Sequence, residues 1–167
     1  MGGLPDVVHL SQRQAADVPS PTIHEWRPEM STETNKQIAR SFLQSVDDLD
    51  FEAWRATAAP DLVASANGGE VMNREEFEGM VRGITGAFSN GRHIIESQVA
   101  EGDRVATRLT WTALHTGEFN GVPASNRPVR VCGDSFDRIE NGKVMEHHAQ
   151  FDAMGMMVQI GAVPVPG

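Results

Sequence analysis

The sequence predicts an α+β fold, an antiparallel sheet with helices packed on one face, and three observations carry that prediction. Helical periodicity is confined to the stretch before about residue 90. Strand-like segments follow one another after it. Tight-turn residues, Gly102-Asp103 and Asn141-Gly142, join neighbouring strand segments. Helices first and a meander of strands afterwards is the segregated pattern of the α+β class, and a sheet curled around amphipathic helices leaves a cleft for a small ligand between the layers.

Residues 1 to 29 bear scattered prolines and polar residues without sustained periodicity, and read as an extended or disordered arm. The domain is expected over residues 30 to 162. Ser31 or Thr32 can cap a helix on which Ile38, Phe42, Leu43 and Val46 fall at helical spacing, and Asp47, Asp48 and Asp50 end it. Phe51, Trp54 and Ala58 share a face of a second, short helix, which Pro60 stops before an extended piece at Leu62 and Val63. The third helix has the clearest signal. Asn73 precedes Arg74, Glu75 and Glu76 in a capping-box pattern, and Phe77, Met80, Val81, Ile84 and Phe88 mark one face.

Four strands are then expected, at 93–101, 104–117, about 128–139 and 144–152. On the second, Val105, Thr107, Leu109 and Trp111 share a face. Asn141-Gly142 specifies a type I′ turn between the last two strands. Ala153 to Ile160 make a terminal helical turn or two, with Asp152 as cap, before a short tail over 163–167.

Composition narrows the function classes. A net charge of -9 and no basic face argue against nucleic-acid binding, which needs clustered Lys and Arg. No apolar run approaches the roughly 20 residues that cross a bilayer, and the N-terminus lacks a cationic start followed by an apolar region, so no membrane partner is expected and the expected compartment is the cytoplasm. Cys132, the single cysteine, rules out an internal disulfide or a multi-thiolate metal site, and reads as a small buried hydrophobe on a strand. His147, His148 and Asp152 are too poorly disposed to hold a metal, because adjacent strand residues point to opposite faces. No metal and no cofactor are expected.

The run His115-Thr116-Gly117-Glu118-Phe119-Asn120-Gly121-Val122-Pro123, then Arg127, Phe136-Asp137-Arg138-Ile139-Glu140-Asn141-Gly142-Lys143 and Glu146-His147, resembles the SnoaL-like polyketide cyclases of the NTF2-like superfamily. The resemblance extends over residues 31 to 162. It implies an NTF2-like cone, a curved antiparallel sheet wrapped around N-terminal helices with an internal cleft. It also implies a homodimer and a cofactor-free intramolecular aldol ring closure, with an acid/base aspartate two residues after the histidine of the Glu-His pair. His147 matches that histidine, but Ala149 stands where the aspartate is expected, and Ala64 stands where the family's cyclases place a polar residue after Pro60-Asp61.

A replacement carboxylate is sought on the neighbouring strand. The Asn141-Gly142 turn pairs Glu140 with Lys143 and Ile139 with Val144. Continued in step, this register sets Asp134 opposite Ala149, Phe136 opposite His147 and Cys132 opposite Phe151, so that Asp134 is a diagonal neighbour of His147. A bulge near Gly133 would shift the register and turn Asp134 away. The expected catalytic pair is therefore His147 and Asp134, tuned to move a proton next to a carbonyl. Phe136 and Phe151 are the expected substrate floor, with Trp111, Trp54, Phe88 and His115 as further contacts. His148 is expected on the opposite sheet face, as an interface residue.

Two functions follow from these readings. One is a cofactor-independent acid/base enzyme acting on a hydrophobic, polyketide-like carbonyl compound by aldol cyclisation, isomerisation or dehydration. The alternative is a non-catalytic NTF2-like protein that binds a small apolar molecule.

Overall fold

The computed structural model describes residues 31–164. The expected arm over 1–29 and the end of the expected tail lie outside them. Helix α1 spans Thr32–Asp47, α2 Phe51–Thr57 and α3 Arg74–Ala87. Strand β1 spans Ala58–Ala66, β2 Phe88–Glu101, β3 Arg104–His115, β4 Pro128–Glu140 and β5 Lys143–Phe151, and helix α4, Ala153–Ile160, closes the chain. The α+β class is as the sequence predicts.

The caps form where local chemistry puts them. Ser31 accepts from Thr34 N at the start of α1. Asn73 and Glu76 complete the capping box of α3. Asp152 accepts from Gly155 N and starts α4. Asn141 and Gly142 both have positive φ, the geometry of the tight turn that joins β4 to β5.

Three expectations are corrected. The extended piece after α2 is a full strand, β1, and it pairs in parallel with β5, so the sheet has five strands in the order β1-β5-β4-β3-β2 rather than four in a pure meander. The third helix ends at Ala87, and Phe88 is the first residue of β2, extended at φ -126 and ψ 120. Most important for function, the register of β4 and β5 leaves the turn as predicted and then slips. Ile139 faces Val144, but Arg138 faces Glu146, because Met145 is a bulge on β5. The slip falls at Met145 rather than near Gly133, and from there on it exchanges the face of β4 presented to His147.

The concave face of the sheet wraps α1 and α3. Trp54, with no exposed surface, packs between Phe42 and Phe77 at ring-centroid distances of 5.4 and 6.2 Å, in one of the two core clusters. Burying such a side chain is worth about 1.5–3 kcal/mol or more, which binds the three helices to the sheet floor. Glu78 of α3 adds a polar clasp. It accepts two hydrogen bonds from Arg55 at 2.8 and 2.6 Å and one from Arg82 at 2.8 Å. A second cluster, with Phe88, Val129, Val131, Met156 and Ile160, fills the other end beneath α4.

Candidate active site

The rows across the sheet define the site. Ala100, Val105, Asp137, His147 and Ala64 face inward in one row, and Gln98, Thr107, Ser135, Ala149 and Ala66 in the next. Glycine at 133 is required between β4 and β5, since a Cβ there would lie 2.8 Å from the Gln150 carbonyl oxygen.

His147 is 4% exposed, and its ring is clamped between Phe42 of α1 and Phe77 of α3, both at 5.2 Å between centroids. Its Nδ1 lies 2.7 Å from Oδ1 of Asp137, itself 3% exposed. A carboxylate only accepts, so Nδ1 donates, and in the neutral ring the remaining nitrogen, Nε2, carries a lone pair. Ser135 Oγ donates to the other carboxylate oxygen of Asp137 at 3.1 Å. Asp137 is thus held from two sides and fixes both the tautomer and the orientation of the imidazole, as the third member of a catalytic triad does.

The ring of His147 lines a mostly apolar cavity of about 170 Å³ between the sheet and helices α1 and α3. Leu109, Trp111, Val131 and Gly133 form its floor, Leu43, Val46 and Phe77 its helical side, and Ala149, Phe151 and Met156 its end. A second histidine, His93 of β2, also lines it. Among the described residues there is no cluster of three or more His, Cys, Asp or Glu side chains that could hold a metal ion.

The expected site residues separate accordingly. His147, Trp111 and Phe151 border the cavity. Asp134 does not pair with His147: it faces Gln150 and is exposed, although it is among the residues that line the cavity. The bulge at Met145 has turned Asp134, Phe136 and Cys132 to the outer face and brought Asp137 and Ser135 inward. Phe136 is 61% exposed and Cys132 is exposed, so neither is a substrate floor or a buried hydrophobe.

Trp54 and Phe88 are core rather than cavity wall. Trp54 stands behind Phe42 and Phe77, and Phe88 stands behind Trp111 and Phe119 at 5.4 and 5.1 Å. His115 is fully buried and holds the loop instead. Its Nδ1 accepts from the backbone N–H of Ser125 at 3.2 Å, and its ring stacks on Phe88 at 4.9 Å. His148 lies on the outer face, 2.8 Å from Ser65 Oγ.

Sequence reasoning missed Asp137, Ser135 and His93. The signal for the first two was the alternation of β4 itself. Val129, Val131 and Ile139 occupy odd positions, Arg130, Arg138 and Glu140 even ones, and this pattern puts residues 135 and 137 inside whatever the turn says.

Comparison with known proteins agrees with this fold. The curated aklanonic acid methyl ester cyclase DnrD of Streptomyces peucetius is 32% identical over 95 residues, which is 55% of this chain and 64% of that protein, a little under two thirds of its length. The crystal structure of AclR, a proposed hydroxylase from Streptomyces galilaeus, superposes with a TM-score of 0.75 at 26% identity, covering 82% of this chain and 91% of that one. IdmH, a proposed polyketide cyclase from Streptomyces antibioticus, superposes at 0.70 and 26% identity, covering 76% of this chain and 98% of that one. The architecture is the NTF2-like α+β cone that these relatives share. The profile of the SnoaL-like polyketide cyclases matches residues 27–160, and the chain belongs to that family.

Proposed function

We propose that the protein is a cofactor-independent acid/base enzyme that closes a ring in, or otherwise isomerises or dehydrates, a hydrophobic polyketide-like ester, with His147 as the acid/base and Asp137 as the residue that positions it. The observation that carries this reading is the 2.7 Å contact between His147 Nδ1 and a buried Asp137 beside an apolar cavity. The substrate class follows the activity named for DnrD. In an aldol closure, Nε2 of His147 takes a proton from the activated carbon next to a carbonyl. The resulting enolate carbon bonds to the carbon of a second ketone, and the π pair of that C=O moves to oxygen. Nε2–H then returns the proton to this oxygen, giving the alcohol with no net change in the enzyme. The Asp137 carboxylate stabilises the imidazolium formed in between.

Where the family resemblance implies an acid/base aspartate, Ala149 lines the cavity two residues beyond His147. In this reading the carboxylate acts from β4, through the histidine. The test substrate is an aromatic β-keto methyl ester with a second ketone in reach, deuterated at its activated methylene. The wild type is expected to wash out the deuterium and close the ring, and His147→Gln to lose both by roughly 100-fold or more. A folded His147→Gln protein that keeps wild-type exchange would overturn the reading.

The outer sheet face supports a homodimer in the same proposal. Val99, Ala106, Phe136, His148 and Ser65 form one outward row across all five strands. Val99 and Phe136, with Val63 and Ile94 on the same face, are among the large apolar side chains left exposed. An apolar band of this kind marks an association surface.

A further inference from the structure

We propose that Ser135 is a further catalytic residue: its hydroxyl turns from Asp137 to the substrate and donates a hydrogen bond to the enolate oxygen, in the space over Ala149. The inference rests on the reading above for the reaction and for His147 as its base, and it adds the donor which that scheme requires.

When His147 takes its proton, negative charge moves onto the oxygen of the neighbouring carbonyl, and in an apolar cavity that charge needs a fixed donor. The imidazolium Nε2–H carries the proton that goes to the second oxygen, so the enolate oxygen must be served from elsewhere. The lining offers few candidates. His93 donates through Nδ1 to Oδ1 of Asp47, 2.6 Å away, because a carboxylate only accepts. Thr85 Oγ1 donates to the Arg82 carbonyl at 3.2 Å. His93 and Trp111 face each other in the row of Val131, which lies six positions before Asp137 on β4, about 20 Å along the strand at roughly 3.3 Å per residue. Asp134 and Gln150 pair with each other and are exposed. Among the described residues that line the cavity, Ser135 is the remaining hydroxyl.

Its place in the sheet suits the task. Asp137 pairs with His147 and Ser135 with Ala149, so the four form a two-by-two block on the concave face. Diagonal members of such a block lie about 7 to 8 Å apart, close enough for an imidazole and a hydroxyl to converge on a methylene and the carbonyl beside it. Ser135 is 2% exposed. On its β3 side stands Thr107, equally buried, whose oxygen accepts from Gln98 Nε2 at 3.0 Å. On its β5 side stand Ala149 and then Ala66 of β1, and both line the cavity. A carbonyl oxygen therefore has room over the two alanines, next to the hydroxyl.

The hydroxyl can change partner. In the resting site it donates to Oδ2 of Asp137 at 3.1 Å. A hydroxyl proton swings about its C–O bond without displacing the oxygen. As His147 becomes charged, the imidazolium compensates the Asp137 carboxylate, while uncompensated charge grows on the enolate oxygen. The donor follows that charge. An interaction made only as the charge develops speeds the step rather than merely tightening binding.

The test is deuterium washout from the β-keto ester described above, run on Ser135→Ala, Ser135→Cys and Ser135→Thr. The Cys thiol fills the site of the serine side chain but donates weakly, and Thr keeps the hydroxyl. The Ala and Cys variants are expected to lose roughly 100-fold in the kcat of exchange with KM little changed, and the Thr variant to stay within about 10-fold of wild type. Nitrogen NMR of the histidines separates this loss from a displaced Asp137: in the Ala and Cys variants His147 should keep its proton on Nδ1. Exchange within about 3-fold of wild type in a folded Ser135→Cys protein overturns the assignment. So does a Thr variant as slow as the Cys variant, or a slow Cys variant in which the His147 proton has left Nδ1. Retained exchange in His147→Gln sinks the reading of the site itself, whereas retained exchange in Ser135→Cys alone sinks only the role of Ser135.

Discussion

Replacing Asp137 by Asn tests the centre of the proposed mechanism, because it keeps the shape of the side chain and removes its charge. Asn can still accept the Nδ1–H of His147 and offers an amide to Ser135 Oγ, so the fold is expected to hold. What disappears is the anion beside the imidazolium. The 2.7 Å contact puts the two charge centres about 4 Å apart, worth about 4 kcal/mol at an effective dielectric of about 20. A hydrogen bond to a charged group sets the lower end, about 2 kcal/mol. At 1.36 kcal/mol per tenfold, kcat should fall by about 30- to 1000-fold, with KM little changed. The assay is ring closure of the deuterated β-keto ester, accompanied by nitrogen NMR of the histidines. In the wild type the His147 spectrum should have the proton on Nδ1 and a bare Nε2. An Asp137→Asn enzyme within about 3-fold of wild-type kcat would refute the positioning role, and so would a wild-type His147 with its proton on Nε2 alone.

Two further outcomes are expected. Burial pushes the Glu78 carboxyl up, but the hydrogen bonds and charges of Arg55 and Arg82 outweigh it and hold the group below its ordinary value of 4.5. A lowered folded value means stability that is present above the unfolded value and lost as pH falls through the folded one. Glu78→Gln should therefore cost about 1–3 kcal/mol in denaturant melts at neutral pH, and the difference from wild type should shrink as pH is lowered from about 5 towards 3. A difference that grows on acidification would contradict the assignment. Phe136→Lys should weaken a dimer formed through the outer face by about 10-fold or more, read by analytical ultracentrifugation. A wild type that stays monomeric, or a variant that dimerises equally well, removes that interface.

Much of the fold was legible because local rules and global packing agree. The capping box at Asn73, the Asn141-Gly142 turn and the Asp152 cap each rest on a few neighbouring residues, and each forms as expected. Strand β1 was underestimated because its partner, β5, lies some 80 residues away, and a parallel edge pairing leaves no turn to read. The candidate site was legible in part. His147 was placed on the inner face correctly, but its carboxylate was chosen by extending the register of a turn through Met145, where one extra residue breaks it. The alternation of Val129, Val131 and Ile139 against Arg130, Arg138 and Glu140 contradicted that extension, and it was the better guide because it records burial directly.

The sequence by itself determined the class, most of the elements, the family and the histidine that borders the cavity, since periodicity, caps and tight turns are decided over a few residues. Only the tertiary structure decided which acids serve the two histidines. Asp137 reaches His147 through a bulge that carries no residue signature, and Asp47 reaches His93 because the end of a helix docks on a strand 46 positions later. Both pairings depend on where backbones finally lie against each other, a property of the packed chain that no local pattern encodes.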